Sequence, residues 1–362
     1  MEISKQKVAV GLSGGVDSTV AAYLLKKQGY DVIGITMFLF DDLDEEGKIR
    51  EPQFVKEAKA IARLLDIPHF TIDLRQEFDA MVKKEFIEEY VSGRTPNPCV
   101  MCNKRIKYGK LIEAANELGA YYIATGHYAN IVYDKELERY RIFSGQTGRK
   151  DQAYVLHSLT QDQLKHVILP IGTFNSKKEV REIANTIDAN IAKKSDSMGV
   201  CFIPDGDYGG YISKEKPELV KKGFFVDTKG NIIGEHKGIV NYTIGQRRGL
   251  GEYFNKPMFV VEIDAEKNIV ILGADEDTYS KGLIGKEANF TLFDELKETS
   301  EAEVKVCQWG LSLPATITSL GDNRVKVIFH KKERAVAPGQ SVVFYRGNEI
   351  IGGAKIESII RD

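Results

Sequence analysis

The chain has 362 residues, of which 43% are hydrophobic and 28% charged, with a formal net charge of −2. That length holds two or three domains, the composition is that of an ordinary globular protein, and no apolar run approaches the ~18 residues of a membrane-spanning helix. The balanced charge excludes a global pull toward nucleic acid, Met1–Lys7 lacks the apolar core of a signal peptide, and four cysteines (Cys99, Cys102, Cys201, Cys307) suit chemistry or inert burial in a reducing compartment better than a disulfide framework; a cytoplasmic location is expected.

In chain order, the first half alternates strand and helix signals. Apolar runs predict strands at Val8–Leu12, Val32–Phe38, His69–Leu74 and Tyr121–Thr125. Helical patterns lie between them at Thr19–Gln28, Phe54–Leu65, Phe78–Val91 and Tyr108–Leu118, with Gly29 and Gly119 at C-cap positions. Asp41–Glu46 reads as an acidic loop. A hairpin follows at Asn130–Phe143, then helical stretches near Asp162–Ile168 and Lys177–Ile187. Beyond Cys201, alternating segments at Gly223–Asp227, Gly230–Gly234 and Met258–Ile263 predict a small, mostly β region. The remainder, with strands at Val304–Val306, Ala315–Thr318, Val325–Phe329, Ser341–Phe344 and Ile350–Lys355, predicts a small β-barrel. The expected fold is α/β: an N-terminal parallel-sheet domain over 1–205, a small, mostly β central domain over 206–275 and a C-terminal β-barrel over 276–362.

The chemistry begins at the end of the first strand, where residues 11–18 read Gly-Leu-Ser-Gly-Gly-Val-Asp-Ser. A strand, a glycine turn and a helix start form an anion site, because backbone N–H groups and the positive end of the helix dipole converge there. No Lys falls between Gly11 and Val20, which excludes the P-loop of kinase-type NTPases. The spacing is not Gly-x-Gly-x-x-Gly, which excludes a dinucleotide fingerprint. In such sheets ligands bind beyond the carboxyl ends of the strands, so Thr36-Met37 and Thr125-Gly126-His127-Tyr128 are expected beside the loop.

Residues 92–105 read Ser-Gly-Arg-Thr-Pro-Asn-Pro-Cys-Val-Met-Cys-Asn-Lys-Arg. The two prolines predict an irregular segment that no continuous helix crosses. Cys99 and Cys102 have Cys-x-x-Cys spacing, but no second ligand pair is at hand, so no metal-ligand set is assigned; a redox pair stays open. Cys201, in Ser195-Asp196-Ser197-Met198-Gly199-Val200-Cys201-Phe202-Ile203, reads on its own as a buried structural thiol. Basic clusters at Lys104–Lys110, Arg149-Lys150, Arg247-Arg248 and Lys331–Arg334 read singly as solvated surface.

Together these stretches carry a resemblance. The loop resembles that of the PP-loop pyrophosphatases, which split ATP between the α- and β-phosphates. The whole set is similar to the tRNA-specific 2-thiouridylase family: the loop, Gly93–Pro98 through Asn103, Ala124–Tyr128, Lys150–Gln152, Asp196–Ile203, Thr243–Gly251 and Ala337–Ser341. The resemblance implies a PP-loop (adenine nucleotide alpha hydrolase-like) N-terminal domain and an enzyme that replaces the C2 oxygen of a wobble uridine with sulfur. It implies ATP and Mg²⁺, with Gly11, Leu12, Ser13, Gly14, Gly15, Val16, Asp17, Ser18, Met37 and Gly126 at the nucleotide. It implies Cys102 as nucleophile, Cys201 as persulfide carrier, and a Cys102–Cys201 disulfide to be reduced between turnovers. Asn97, Pro98 and Cys99 match the loop that meets the target base; His127, Lys150, Asp151, Gln152, Cys307, Gln308 and Gln340 match tRNA contacts. The implied partners are tRNA and a persulfide donor, a cysteine desulfurase or relay protein, with no membrane and a monomeric chain. Two stretches depart from the pattern. Phe38–Asp42 replaces a polar run, and Cys307-Gln308 stands where relatives place arginines, which removes positive charge from the barrel's grip on RNA. The alternatives are another PP-loop adenylating ligase acting on a small molecule, which needs no distant cysteine pair, and a non-catalytic tRNA-binding or sulfur-relay paralogue.

Overall fold

The computed structural model describes residues 6–41, 49–196, 199–250 and 256–361. Most of the expected acidic loop, Ser197-Met198 of the Cys201 motif, and Gly251 lie outside the described residues. The chain divides into two compact units. One comprises Met1–Val82, Cys99–Ser197 and Asn348–Ile351; the other comprises Lys83–Pro98, Met198–Gly347 and Gly352–Asp362.

The first unit is built on strands β1 (Lys7–Gly11), β2 (Asp31–Phe38), β3 (His69–Asp73), β4 (Tyr122–Ala124) and β7 (Val167–Ile168), in the order β3-β2-β1-β4-β7. All neighbours are parallel. Val8, Val10, Val32 and Ile35 are buried, as the central strands of a sheet covered on both faces must be. The helices α1 (Val16–Lys27) and α2 (Gln53–Leu64) pack their apolar residues onto the sheet: Val20, Ala21 and Leu25 from one, Ala58, Ile61 and Ala62 from the other. Because β2 and β4 lie on opposite sides of β1, the carboxyl ends of β1 and β4 form the topological switch point where such sheets bind ligands. A hairpin of β5 (Ala129–Asp134) and β6 (Arg139–Ser144) follows β4, and Glu349-Ile350 pair with Phe143-Ile142. Arg141 fixes that pairing by a fork onto Glu349 (2.5 and 2.7 Å).

The second unit holds a four-stranded sheet and a barrel. The sheet has β8 (Gly223–Asp227), β9 (Ile232–His236), β10 (Phe259–Asp264) and β11 (Ile269–Gly273), in the order β10-β11-β8-β9. The barrel has β12 (Tyr279–Phe290), β13 (Ser300–Lys305), β14 (Leu313–Gly321), β15 (Arg324–Arg334), β16 (Ser341–Arg346) and β17 (Glu349–Ile360). Pairing runs β12-β15-β14-β13-β16-β17 and back to β12, closing six strands and leaving no open edge among them. The expected α/β class, the small β region and the barrel are all present.

Several boundaries differ, each for a physical reason. The first helix begins at Val16 rather than Thr19, because Gly15 already takes the extended N-cap conformation (φ −90°, ψ 169°); Asp17 and Ser18 thus belong to its first turn. The prolines do not stop a helix from forming at the cysteines. Pro98 starts one, Pro98–Cys102, which continues as a π-helical stretch, Asn103–Lys110, and then α-helix Leu111–Glu117. Pro is tolerated in a first turn, where its missing N–H bonds nothing, so only the residues up to Asn97 are irregular. Phe78–Val91 is likewise interrupted by a π-helical segment, Asp79–Lys83. Of Asp162–Ile168, only Gln161–Leu164 is helical; β-branched Val167 and Ile168 pair with β4 instead. The central region opens with a helix, Tyr208–Glu215. Strand β12 escapes the alternation pattern because Gly282 and Gly285 interrupt it.

Phe86, 1% exposed, sits among the rings of Tyr90, Phe202, Tyr208 and Tyr211 at centroid distances of 5.0, 5.4, 5.9 and 6.3 Å. Phe86→Ala is therefore expected to cost about 3–5 kcal/mol, read as a lowered urea midpoint. A midpoint within experimental error of the parent would show that this cluster does not hold the second unit.

Candidate active site

The glycine turn leaves β1 at the switch point. Leu12 N–H donates to the Ile35 carbonyl (2.8 Å), and the Thr36 hydroxyl donates to the Leu12 carbonyl (2.8 Å), so the turn's first residue is tied to β2. Gly14 then takes φ +78°, a conformation that favours glycine. The Ser18 and Thr19 hydroxyls donate back to the Gly15 carbonyl (3.2 and 2.8 Å). No side chain caps α1, so its first-turn N–H groups face the turn as an anion cradle. Met37, half-buried, occupies the carboxyl end of β2 beside this cradle. Gly126 has no room for a side chain: a Cβ there would stand 2.7 Å from the Asp17 backbone carbon and 2.9 Å from the Ser18 nitrogen.

Asp17 is the centre of an ion network within this unit. Lys177 donates to both of its carboxylate oxygens (2.6 Å each), and the Tyr128 hydroxyl donates to Oδ1 (2.7 Å). Burial first, then the negative charge of Asp17, pushes the Tyr128 phenol up, so it stays a donor. Lys177 also lies 3.2 Å from Asp196, which receives Arg181 (2.8 Å) and Lys150 (2.7 Å). Burial alone would raise the Asp196 carboxyl, but Lys150 and Lys177 hold it down to about 2. On the other flank, Lys194 donates to the Gly14 carbonyl (2.7 Å) and to Glu57 (2.6 Å).

The remaining expected residues of this unit have distinct settings. Cys102 is buried on the Pro98–Cys102 helix, and Cys99 is exposed on its first turn. Desolvation by the protein packed around the Cys99 sulfur nonetheless pushes its thiol up, with Lys107 opposing. His127 is buried, its Nδ1 hydrogen-bonded with Tyr108 (2.9 Å) and Thr125 (2.7 Å), and burial followed by the Lys107 charge keeps it neutral. It offers a hydrogen bond or a packing face, not a cation for phosphate. Asp151 accepts from the backbone of Gly145 (2.8 Å) and Ala153 (3.2 Å), and Gln152 accepts from Tyr128 N–H (3.1 Å). All three of Lys150, Asp151 and Gln152 thus have intramolecular partners.

In the second unit, Cys201 is exposed, not buried as its apolar neighbours suggest. Ile203 N–H donates to the Val200 carbonyl (3.0 Å), which makes residues 200–203 a tight turn. Val200 and Ile203 enter the core with Phe86 and Ile212 while the cysteine stays out. Half-buried Asn97 and buried Pro98 end a loop that the barrel's Ala337–Gln340 turn grips. Thr95 N–H donates to the Pro338 carbonyl (2.8 Å), and the Gln340 amide donates to the carbonyls of Thr95 (3.0 Å) and Pro96 (3.2 Å). Arg94 forks onto Glu89 (2.8 Å twice), whose 5% exposure is offset by Lys355 at 3.2 Å. Cys307 and half-buried Gln308 lie on the loop after β13, next to Trp309, which is 68% exposed. Burial raises the Cys307 thiol.

Sequence reasoning missed Lys177, Arg181 and Lys194. One signal was legible: Lys177 and Arg181 lie one turn apart at the start of a helix capped by Ser176, where the dipole disfavours positive charge. Among the described residues there is no group of three or more metal-ligating side chains, and no helix is long and apolar enough to cross a membrane.

Three family models match in succession: a tRNA methyl transferase HUP domain over residues 6–205, a tRNA methyl transferase PRC-barrel domain over 211–274, and an aminomethyltransferase beta-barrel domain over 280–356. The chain is 48% identical over 365 residues to a tRNA-specific 2-thiouridylase of Clostridium botulinum, covering 99% of this chain and 100% of that one. It is 50% identical over 356 residues to a second, from Clostridium tetani, covering 98% of each. The chain belongs to the tRNA-specific 2-thiouridylase family. Among solved structures, a 4-thiouridine synthetase–RNA complex with bound ATP aligns with 59% of this chain and 51% of its own at 20% identity, with a TM-score of 0.36, too distant a likeness to bear on function.

Two of the three buried histidines give a pH prediction. Burial, only partly offset by the Tyr154 carbonyl, lowers His157 to about 4, and His127 is also held well below 6.5. Both are neutral in the fold and take up protons on unfolding near pH 6.5. Their contribution to stability is therefore complete above that value and falls as pH drops toward 4. His157 alone predicts a loss of about 2 kcal/mol between pH 7.5 and 5. Urea midpoints at the two pH values check this, and equal midpoints would contradict it.

Proposed function

We propose that this chain is an ATP-dependent tRNA uridine 2-sulfurtransferase acting on the wobble base. The observation that carries the reading is the uncapped first turn of α1, fed by Gly14 and Gly15 at the switch point beside β4. It is built for phosphate and has no kinase lysine. The methyl transfer that the matched domain families are named for would need a methyl donor, for which this cradle is the wrong receptor. The relatives' name and the cysteines agree on sulfur.

A uridine C2 oxygen is a poor leaving group, and ATP makes it a good one. O2 bonds to the α-phosphorus, the bond from that phosphorus to the bridging oxygen breaks, pyrophosphate leaves with the electron pair, and the N3 proton passes to water. Gly11–Ser18, Met37 and Gly126 hold the nucleotide. Magnesium ATP needs only one or two carboxylates besides its phosphates, and Asp17 is the loop's one carboxylate. Cys201, exposed on its turn, accepts sulfane sulfur from a cysteine desulfurase or relay protein. The terminal sulfur attacks C2 and expels AMP. Cys102 then attacks the Cys201 sulfur, releasing the 2-thiouridine and leaving a disulfide that an external thiol reduces. The thiolate is the working form, and Lys104, Arg105 and Lys107 follow Cys102 on the same helical run. Asn97–Cys99 meets the base, with Gln340 bracing the loop behind it. The base is turned out of its stack to reach the site. His127, Lys150–Gln152, Cys307 and Gln308 form the edges toward RNA. In this reading residues 1–205 carry the chemistry and 206–275 and 276–362 hold the tRNA of a monomer.

Nucleoside mass spectrometry tests it, on tRNA incubated with the protein, ATP, Mg²⁺, a cysteine desulfurase and cysteine. The parent yields 2-thiouridine, and Cys102→Ser and Cys201→Ser yield none above background. Absence of the product from folded, ATP-binding protein would overturn the reading. Unchanged ATP-to-AMP activity on a small substrate in both serine variants would favour a different adenylating ligase.

A further inference from the structure

The loop that cradles phosphate brings a carboxylate, Asp17, and no cation of its own. Pyrophosphate expelled from ATP gathers charge as it leaves, and some group must meet that charge. Within the same unit, Lys177, Arg181 and Lys150 face Asp17 and Asp196. Three cations against two carboxylates leave one positive charge in excess beside the open end of α1. Lys177 is the member that touches the loop. Its side chain is 15% exposed, its Nζ sits 2.6 Å from both Asp17 oxygens, and it lies 5.5 Å from the centre of the Tyr128 ring. It is also the first residue of its helix, where the dipole opposes it. A lysine there gains nothing from its own helix, and a charge so little hydrated is kept at a cost. Its four-carbon stem lets the ammonium swing while the helix stays in place.

We propose that Lys177 is the phosphate cation of this site, paired with Asp17 at rest and turned to the β-phosphate when ATP binds, so that it neutralises pyrophosphate as the bond to the α-phosphorus breaks. This rests on the adenylation reading above. The lysine that other nucleotide loops carry in the loop is supplied here from a helix some 160 residues downstream. The transfer also frees Asp17 from its ion pair while nucleotide is bound.

Pyrophosphate release and AMP formation are measured with tRNA, ATP and Mg²⁺. Lys177→Met is expected to lower kcat by about 10²–10³-fold with KM for tRNA unchanged, and Lys177→Arg to recover part of the loss. Lys178→Met, at a side chain 85% exposed on the same helix, is expected to match the parent. A purely structural lysine that only balances Asp17 predicts something else: the charge-balanced Asp17→Asn/Lys177→Met protein would turn over as fast as Asp17→Asn alone. The proposal expects that double variant to be at least tenfold slower than Asp17→Asn, and should Lys177→Met fail to fold, this comparison decides. Equal rates for the double variant and Asp17→Asn, or a folded Lys177→Met protein within threefold of the parent, would overturn the role of Lys177. A parent that forms no AMP at all would instead sink the adenylation reading.

Discussion

The first unit is organised around one carboxylate placed in the first turn of a helix. Asp17 is there because Gly15 ends the turn in an extended conformation and lets α1 start three residues earlier than the helical pattern indicates. Its position recruits the rest: Tyr128 and Lys177 converge on its oxygens, Gly126 packs against its backbone, and Lys177 passes the network on to Asp196 and Arg181. Each charged group in the arrangement has an ion-pair partner, although the network as a whole keeps one positive charge in excess. It also leaves the N–H groups of the helix start uncommitted, and those are what a phosphate chain requires.

The second unit solves a different problem, holding an irregular loop in one shape. Ser92–Asn97 has no ladder of its own, so its backbone groups are met from outside: by Pro338 and Gln340 from the barrel and by Glu89, which Lys355 keeps company. Gln340, expected from the resemblance to touch RNA, donates its amide nitrogen to the carbonyls of Thr95 and Pro96. The barrel thereby braces the loop that leads to Pro98 and the Pro98–Cys102 helix. Cys201 follows the same logic on a smaller scale, its flanking apolar residues anchoring the turn that holds the sulfur out.

Much of this was legible in the sequence, and the reason lies in how far each feature depends on distant residues. Strands such as Val32–Phe38 are apolar on both faces and announce themselves; the glycine turn is a local conformational requirement; Gly29 and Gly119 end helices with positive φ. What stayed hidden depends on partners far along the chain. Lys177 looks like surface until Asp17 is placed beside it. Cys201 reads as core because its neighbours are core. Strand β12 is broken by glycines that only the closed barrel explains, and Pro98 reads as a helix breaker until its place in the first turn is known. The family resemblance named the cysteines, the loop and Lys150, but not Lys177 and Lys194, which bond to the loop, or Arg181 behind them.

The central claim is that ATP activates the same oxygen that sulfur replaces. An anticodon stem-loop carrying ¹⁸O at C2 of the wobble uridine, turned over with ATP and a persulfide donor, tests it most directly. Mass spectrometry of the released AMP should show one ¹⁸O per 2-thiouridine formed. Unlabelled AMP alongside full formation of the thiolated base would contradict the account.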